Sequence, residues 1–294
     1  MTGFSGETTV ERDVGTCLMC GSPDLTEAFR LEVEHGRFDS PYHECKECRS
    51  LQLSRVERGP PPAVAGIGDF DVGSVQRSIL TALLVRALRY SRLLRRSARC
   101  LDFGAGLGLL VRLLRDQGID AWGVDKFQRM AACESFQIEP DAPRGPFDFV
   151  ILLEVFEHLL KPFEELSAIT STMGPHGMLL IHSELYDARI HGRDWTYLHP
   201  EWGGHVNFAS REGMERMAAR LGFRALFLPV GYCLLVRPGA FRAVQGLVAS
   251  ALFLTNIAAA RAIGQCNSRH AGADSQMIEA ANLRKLDRTG AGRG

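Results

Sequence analysis

Apolar positions along the chain change their spacing in a way that marks its elements. Between residue 75 and about residue 96, Leu80, Leu84 and Leu88 fall in one row, which predicts a helix. Arg86, Arg89, Arg92 and Arg96 fall roughly on another side, and no acid interrupts the stretch from Arg77 to Arg99. A short apolar strand over 100–103 enters the run Gly104-Ala105-Gly106-Leu107-Gly108, and a helix with Leu110, Leu113 and Leu114 leaves it. Residues 121–125 read as a second short strand that ends in an acid. Further on, 162–173 reads as a helix and 177–182 as a strand. Residues 211–221 read as a helix with Met214, Met217, Ala218 and Leu221 on one side and Ser210 as N-cap. Two apolar runs follow at 225–229 and 232–236, and then 243–260, which carries no charge and is predicted helical. Strands alternating with helices predict an α/β fold on a doubly wound, mostly parallel sheet.

Gly59-Pro60-Pro61-Pro62 breaks the chain and 66–73 stays loop-like, so 59–73 reads as a linker. It divides an N-terminal segment, 1–58, from the α/β segment, 74–237, and 238–294 adds the uncharged helix and a polar, Gly-rich tail expected to be disordered. At 46% hydrophobic and 23% charged, the 294 residues exclude a wholly disordered, collagenous or coiled-coil chain. Lys+Arg and Asp+Glu tie at 34 each, so no overall charge points to nucleic acid or to a membrane. Met1 to Val10 lacks the basic flank and apolar run of a secretory signal. The expected address is a reducing cytoplasm, where cysteines serve as thiols or metal ligands.

Four of the eight cysteines form two pairs, Cys17-Leu18-Met19-Cys20 and Cys45-Lys46-Glu47-Cys48. Each pair turns two sulfurs toward one point, and two such knuckles complete a tetrahedral thiolate cage for Zn²⁺. The 24 residues between them suffice for a small zinc ribbon, and so small a segment has too little core to fold easily alone. Four thiolates leave no open position for substrate, so the site reads as structural. His35 and His43 lie between the pairs as alternative ligands. Cys100, Cys133, Cys233 and Cys266 stand alone and read as core residues.

Glycines in the 104–108 turn permit positive φ and let a ligand approach the bare main chain. Asp125 lies 19 residues after Gly106, about the spacing at which an acid ending the second strand reaches ribose hydroxyls. Together these describe an adenosine-type ligand across the sheet edge. The nicotinamide fingerprint would require glycine at 109, where Leu109 stands. The run Asp102-Phe103-Gly104-Ala105-Gly106-Leu107-Gly108 instead resembles the first motif of the class I S-adenosylmethionine-dependent methyltransferases, which have a Rossmann-like fold. Residues 147–159 are similar to that superfamily's fourth strand and the start of its next helix. Within them, Glu154-Val155-Phe156-Glu157-His158 is similar to quinone-biosynthesis and deoxysugar methyltransferases. Some deoxysugar C-methyltransferases also carry an N-terminal zinc-binding domain.

The resemblance covers about 101–237 and implies specific roles. Asp102, Gly104, Ala105, Gly106 and Gly108 would border the methionine portion of S-adenosylmethionine, Asp125 would hold the ribose, and Glu154 would face the pocket. The runs at 225–236 would be the closing antiparallel hairpin. Glu139 and Asp141 lie near the adenine position but match no motif, and that position stays unassigned.

Residues 182–208 are dense in polar and aromatic groups and follow a strand's carboxyl end, where ligands collect. Trp195, Tyr197 and Trp202 offer flat faces for stacking a ring. His205-Val206-Asn207-Phe208-Ala209-Ser210 is similar to the deoxysugar enzymes' acceptor stretch, although the tyrosine found there is missing. A base is needed only for a hydroxyl or a carbon acid, and a histidine near neutral pKa serves. His205 is the first candidate and His158 the second, with Asp194 and Glu184 as orienters. The expected function is methyl transfer to a small molecule, a sugar, nucleotide-linked sugar or other secondary metabolite. The alternatives are a module that binds nucleotide without turnover, and an RNA-modifying enzyme gripping RNA through the ribbon and the arginine helix. For 243–260 a buried or homodimer-contact helix is expected, with membrane association as the alternative.

Overall fold

A computed structural model of the chain describes residues 8–11, 15–32, 39–58, 72–139, 145–198, 205–239 and 243–262. His35, Asp141, Trp202, Cys266, nearly all of the expected linker and the tail after 262 lie outside the described residues. In chain order the first elements are β1 (Thr8–Glu11), β2 (Leu25–Glu32), β3 (Asp39–Cys45), β4 (Leu51–Leu53), β5 (Arg55–Arg58) and α1 (Val72–Tyr90). There follow β6 (Arg99–Phe103), α2 (Leu109–Asp116), β7 (Asp120–Val124), β8 (Phe147–Leu153), α3 (Pro162–Ser171) and β9 (Met173–His182). The last are β10 (Asn207–Phe208), α4 (Arg211–Arg220), β11 (Arg224–Phe227), β12 (Tyr232–Val236) and α5 (Ala243–Ala262).

The main sheet has six strands in the order β11-β12-β9-β8-β6-β7. β7, β6, β8 and β9 run parallel, and β12 and β11 close the edge as the expected antiparallel hairpin. The parallel strands are near-continuous apolar runs because helices cover both of their faces. On one face Leu84, Leu88, Leu110, Leu114 and Phe253 pack from α1, α2 and α5. On the other, Leu166, Met214 and Met217 pack from α3 and α4 together with Cys17, Met19, Cys45 and Cys48. What would be a strand between β7 and β8 is reduced to a single parallel bridge, Gly123 to Gln137.

The N-terminal strands form a separate antiparallel sheet, in the order β10-β4-β3-β2. Its fourth strand comes from 207–208, more than 150 residues along the chain. A third apolar cluster fills the space between this sheet and the loop after β9, with Tyr42, Leu51, Tyr186, Tyr197 and Phe208 buried.

Two expectations about the helices change. The arginine-rich helix ends at Tyr90, not near Arg96, because Arg92 turns into the left-handed region at φ 60° and breaks the repeat. Arg86 donates to Asn256 Oδ1 at 2.8 Å and Arg89 to the Arg96 and Gln117 carbonyls, so two of the four arginines expected on one face tie the chain to itself. α5 packs Ala249, Phe253, Ile257 and Ala260 inward and leaves Leu247, Val248 and Leu254 exposed. Among the described residues no helix is long and apolar enough to cross a membrane.

Candidate active site and metal centre

The carboxyl ends of β6, β7 and β8 meet at the glycine turn. Gly104 has φ 78°, and a Cβ there would collide with Val155 Cγ2, so the turn packs directly under the chain leaving β8. Gly106 has φ 53° and nothing within 4 Å of where its Cβ would stand, which leaves bare main chain facing open space. Asp125 shapes this turn. Its Oδ2 accepts the Gly106 N–H at 2.8 Å, and its Oδ1 accepts the N–H groups of Phe127 and Gln128, both at 2.8 Å. Asp125, expected as a ribose ligand, is seen here as the bracket between the two loops.

Asp102 is 4% exposed, and among the described residues its carboxylate accepts no hydrogen bond. Burial, helped by the charge of Asp125, pushes it up to about 7. A buried carboxylate without a partner is a place for a cation.

The second constellation follows β8. Glu154 sits at φ 56°, the left-handed region, and this turn aims its carboxylate at His182, whose Nδ1 lies 2.6 Å from Oε1. Burial raises the Glu154 carboxyl, but the His182 hydrogen bond and the charges of His182, Arg77 and His205 together outweigh it, and the group is held below its ordinary value. Glu157 is fully buried and goes the other way: burial and the charge of Glu154 push it up to about 8. Two neighbouring carboxyls are thus split into one ionised and one protonated near neutral pH. The Tyr197 hydroxyl lies between them, 2.7 Å from Glu157 Oε1 and 3.5 Å from Glu154 Oε2. Among the described residues, Glu157 Oε2 has no hydrogen-bond partner.

His205 joins this group. Its Nδ1 lies 2.7 Å from the Tyr197 carbonyl oxygen, which can only accept, so Nδ1 carries the proton and Nε2 presents a lone pair. Nε2 stands 4.0 Å from Glu157 Oε1, and the His158 ring meets the His205 ring edge-on at 4.8 Å. Ligand atoms of Glu157, His158 and His205 all lie within 4.8 Å of one another. The structure brings His205 and His158, the two candidate bases, and Glu154, expected at the cofactor pocket, into one neighbourhood. It adds Glu157, Tyr197 and His182, which the sequence reading left as a helix start, a stacking face and a strand end. Tyr197 is buried and hydrogen-bonded, so it offers no free stacking face, and Glu184 and Asp194 are exposed. Trp195 stacks on His191 at 4.2 Å with the planes parallel. Arg77 of α1 lies close enough for its charge to lower Glu154, a neighbour that only the fold reveals.

The four cysteines converge as expected. Cys17 and Cys48 sulfurs are 3.5 Å apart, Cys20 and Cys45 are 3.6 Å apart, and all four lie within 4.8 Å. A tetrahedron with metal–sulfur bonds of about 2.3 Å requires sulfurs about 3.8 Å apart, so the cage fits zinc. The two knuckles share one geometry: Gly21 and Arg49 follow the pairs at φ 80° and 60°, and each donates its N–H back to the first cysteine carbonyl at 2.8 Å. Hydrogen bonding from Cys17, with that from Ser50, holds the Cys48 thiol below its ordinary value. His43 is not among the converging ligands.

Comparison with known proteins gives the same answer as the glycine turn. Residues 76–227 match the family model described as a methyltransferase domain. Similar solved structures include magnesium protoporphyrin IX methyltransferase from Synechocystis PCC 6803 with bound SAH, at 16% identity over 57% of this chain and 85% of that one, TM-score 0.42. Human N-acetylserotonin methyltransferase in complex with SAM matches at 23% identity over 56% of this chain and 52% of that one, TM-score 0.43. Mitomycin 7-O-methyltransferase matches at 17% identity over 55% and 52%, TM-score 0.43. No curated protein matches the chain in sequence. The family match spans 152 of the 294 residues, more than half, so the chain belongs to the methyltransferase-domain family and is an S-adenosylmethionine-dependent methyltransferase.

Proposed function

We propose that the protein methylates a hydroxyl or an acidic carbon of a small molecule, a sugar or other secondary metabolite, with His205 as the base. The observation that carries this reading is the placing of His205: its Nδ1–H is directed at the Tyr197 carbonyl, which makes Nε2 the basic nitrogen of the neutral ring. The residues present suit the cofactor. The carboxylate of Asp102 gives its ammonium a partner, and the open main chain at Gly106 gives its methionine portion room. Asp125 has three of about four acceptor positions filled by main-chain N–H groups, and the last can take a ribose hydroxyl. Asp125 and Glu154 place carboxylates at the strand ends of a chain of zero net charge, which favours a cationic ligand.

S-adenosylmethionine supplies a methyl group already activated on a sulfonium. The chain then has two tasks, holding the acceptor in line and removing its proton. His205 Nε2 takes that proton, with the ionised Glu154 carboxylate nearby to favour the charged ring. His158, edge-on to His205, closes one side of the base. His191 and Trp195 form a stacked aromatic wall on the same loop, suited to a ring. In this reading 1–58 is a metal-stabilised module whose four cysteines hold a structural zinc, 59–73 a linker, 74–237 the transferase body and 238–294 a C-terminal extension.

The test begins with mass spectrometry of ligands that co-purify, which supplies the acceptor. His205→Gln is expected to keep the affinity for the cofactor within twofold and to slow transfer by about 10²–10⁴-fold. Transfer at the wild-type rate would remove His205 as the base and turn attention to His158.

A further inference from the structure

We propose that the second cysteine knuckle is a latch: metal in the four-thiolate cage fixes the strand that carries the acceptor side of the site and leaves the cofactor side independent. The inference rests on reading His205 as the acceptor base and the cysteines as a metal cage. Its evidence is a continuous chain of buried contacts from the sulfurs to His205.

The knuckle closes when Arg49 N–H donates to the Cys45 carbonyl at 2.8 Å and Cys45 N–H to the Ser50 carbonyl at 2.9 Å. That closure presents the Ser50 hydroxyl to α4. Ser50 Oγ accepts the Ser210 N–H at 3.0 Å and lies 3.3 Å from Ser210 Oγ, which itself donates to the Cys48 carbonyl. The same Ser210 oxygen caps α4 by accepting the Gly213 N–H at 2.8 Å. Directly after the knuckle, β4 pairs with β10, Gln52 opposite Asn207 and Leu51 opposite Phe208, and Leu53 N–H donates to the Val206 carbonyl at 3.1 Å. Val206 is the neighbour of His205. The first knuckle is tied to the same strand, since Gln52 Oε1 accepts the Leu18 N–H at 2.9 Å. Arg220 of α4 reaches back to the Met19 carbonyl at 2.9 Å.

Gly213 makes this docking selective. It lies inside α4 with no need for positive φ, where alanine would ordinarily favour the helix. Yet a Cβ at 213 would collide with Ser50 Oγ. Turning that hydroxyl aside relieves the clash only by breaking its bonds to Ser210. None of these contacts involves Asp102, the glycine turn or Asp125.

The test is amide hydrogen exchange at 206–210 with cofactor calorimetry, on the full chain with its metal, after removal of metal by a chelator, and as Gly213→Ala. The latch predicts that Gly213→Ala keeps its metal, binds S-adenosylmethionine within twofold of wild type, and loses protection at 206–210 by tenfold or more. Metal removal should give the same pattern. Ser50→Ala, which adds no atom, should loosen the segment in the same direction and serves if the alanine at 213 prevents folding. Unchanged protection at 206–210 after metal removal overturns the proposal, as does unchanged protection in both variants. Failure of the wild type to bind cofactor would instead strike the functional reading, and the exchange result would still decide the latch.

Discussion

Replacing Asp102 by asparagine should make the protein more stable and less able to bind its cofactor, with both effects traceable to one buried charge. The carboxyl moves from an ordinary 3.8 to about 7, first through burial and then through the charge of Asp125. Between those values the folded protein holds a proton that the unfolded chain has released, so stability falls as pH rises from about 4 to about 7. At about 1.4 kcal/mol per tenfold change in proton affinity, the full loss is about 4 kcal/mol, reached above pH 7. The substituted amide would not titrate and would escape that fall. It would leave a buried polar group to satisfy, which costs about 1–3 kcal/mol. The variant should therefore gain about 1–3 kcal/mol over wild type at pH 8. Below pH 4 it should gain nothing. In the other direction, a lost charge-assisted bond to an ammonium, about 1.5–3 kcal/mol, should weaken cofactor binding by about 10–100-fold. Urea denaturation at several pH values and calorimetry at pH 8 measure the two effects. Equal pH slopes in the two proteins would refute the assignment of the charge, and unchanged affinity would refute the placing of the ammonium.

Two further outcomes test the neighbouring features. Tyr197→Phe removes the hydroxyl 2.7 Å from Glu157, a carboxyl whose other oxygen has no partner among the described residues, and should destabilise the protein by about 1–3 kcal/mol; a loss under about 0.5 kcal/mol in urea denaturation would mean the bond is not formed. Cys17→Ser should purify with less than one metal per chain by elemental analysis, and a full complement would count against a four-thiolate cage.

The β-α-β unit was legible because its signals are local: apolar runs set β6 and β7, and glycines stand where the main chain must turn. The paired cysteines were legible for the same reason, since each knuckle is closed by bonds within six residues. What escaped the sequence is what distance in the chain conceals. Tyr197 meets Glu157 across 40 positions and His182 meets Glu154 across 28, and no periodicity encodes either meeting. Glu157 already had a sufficient local explanation as an acid at a helix start, which hid its burial. β10 is two residues long and takes its partner from the far end of the chain, too short to register as a strand. The helix at 72–90 was overextended because arginines continue past Tyr90 in helical spacing, while the backbone at Arg92 does not.

Glu154 has a consequence for anyone breeding a hardier variant. A left-handed glutamate gives up about 1–2 kcal/mol that glycine would recover at once. Selection for heat tolerance alone would therefore drift toward glycine at this position, and the survivors would keep their shape while losing the anion that anchors His182. A screen that reads only heat tolerance would therefore count the loss of the Glu154–His182 pair as a gain.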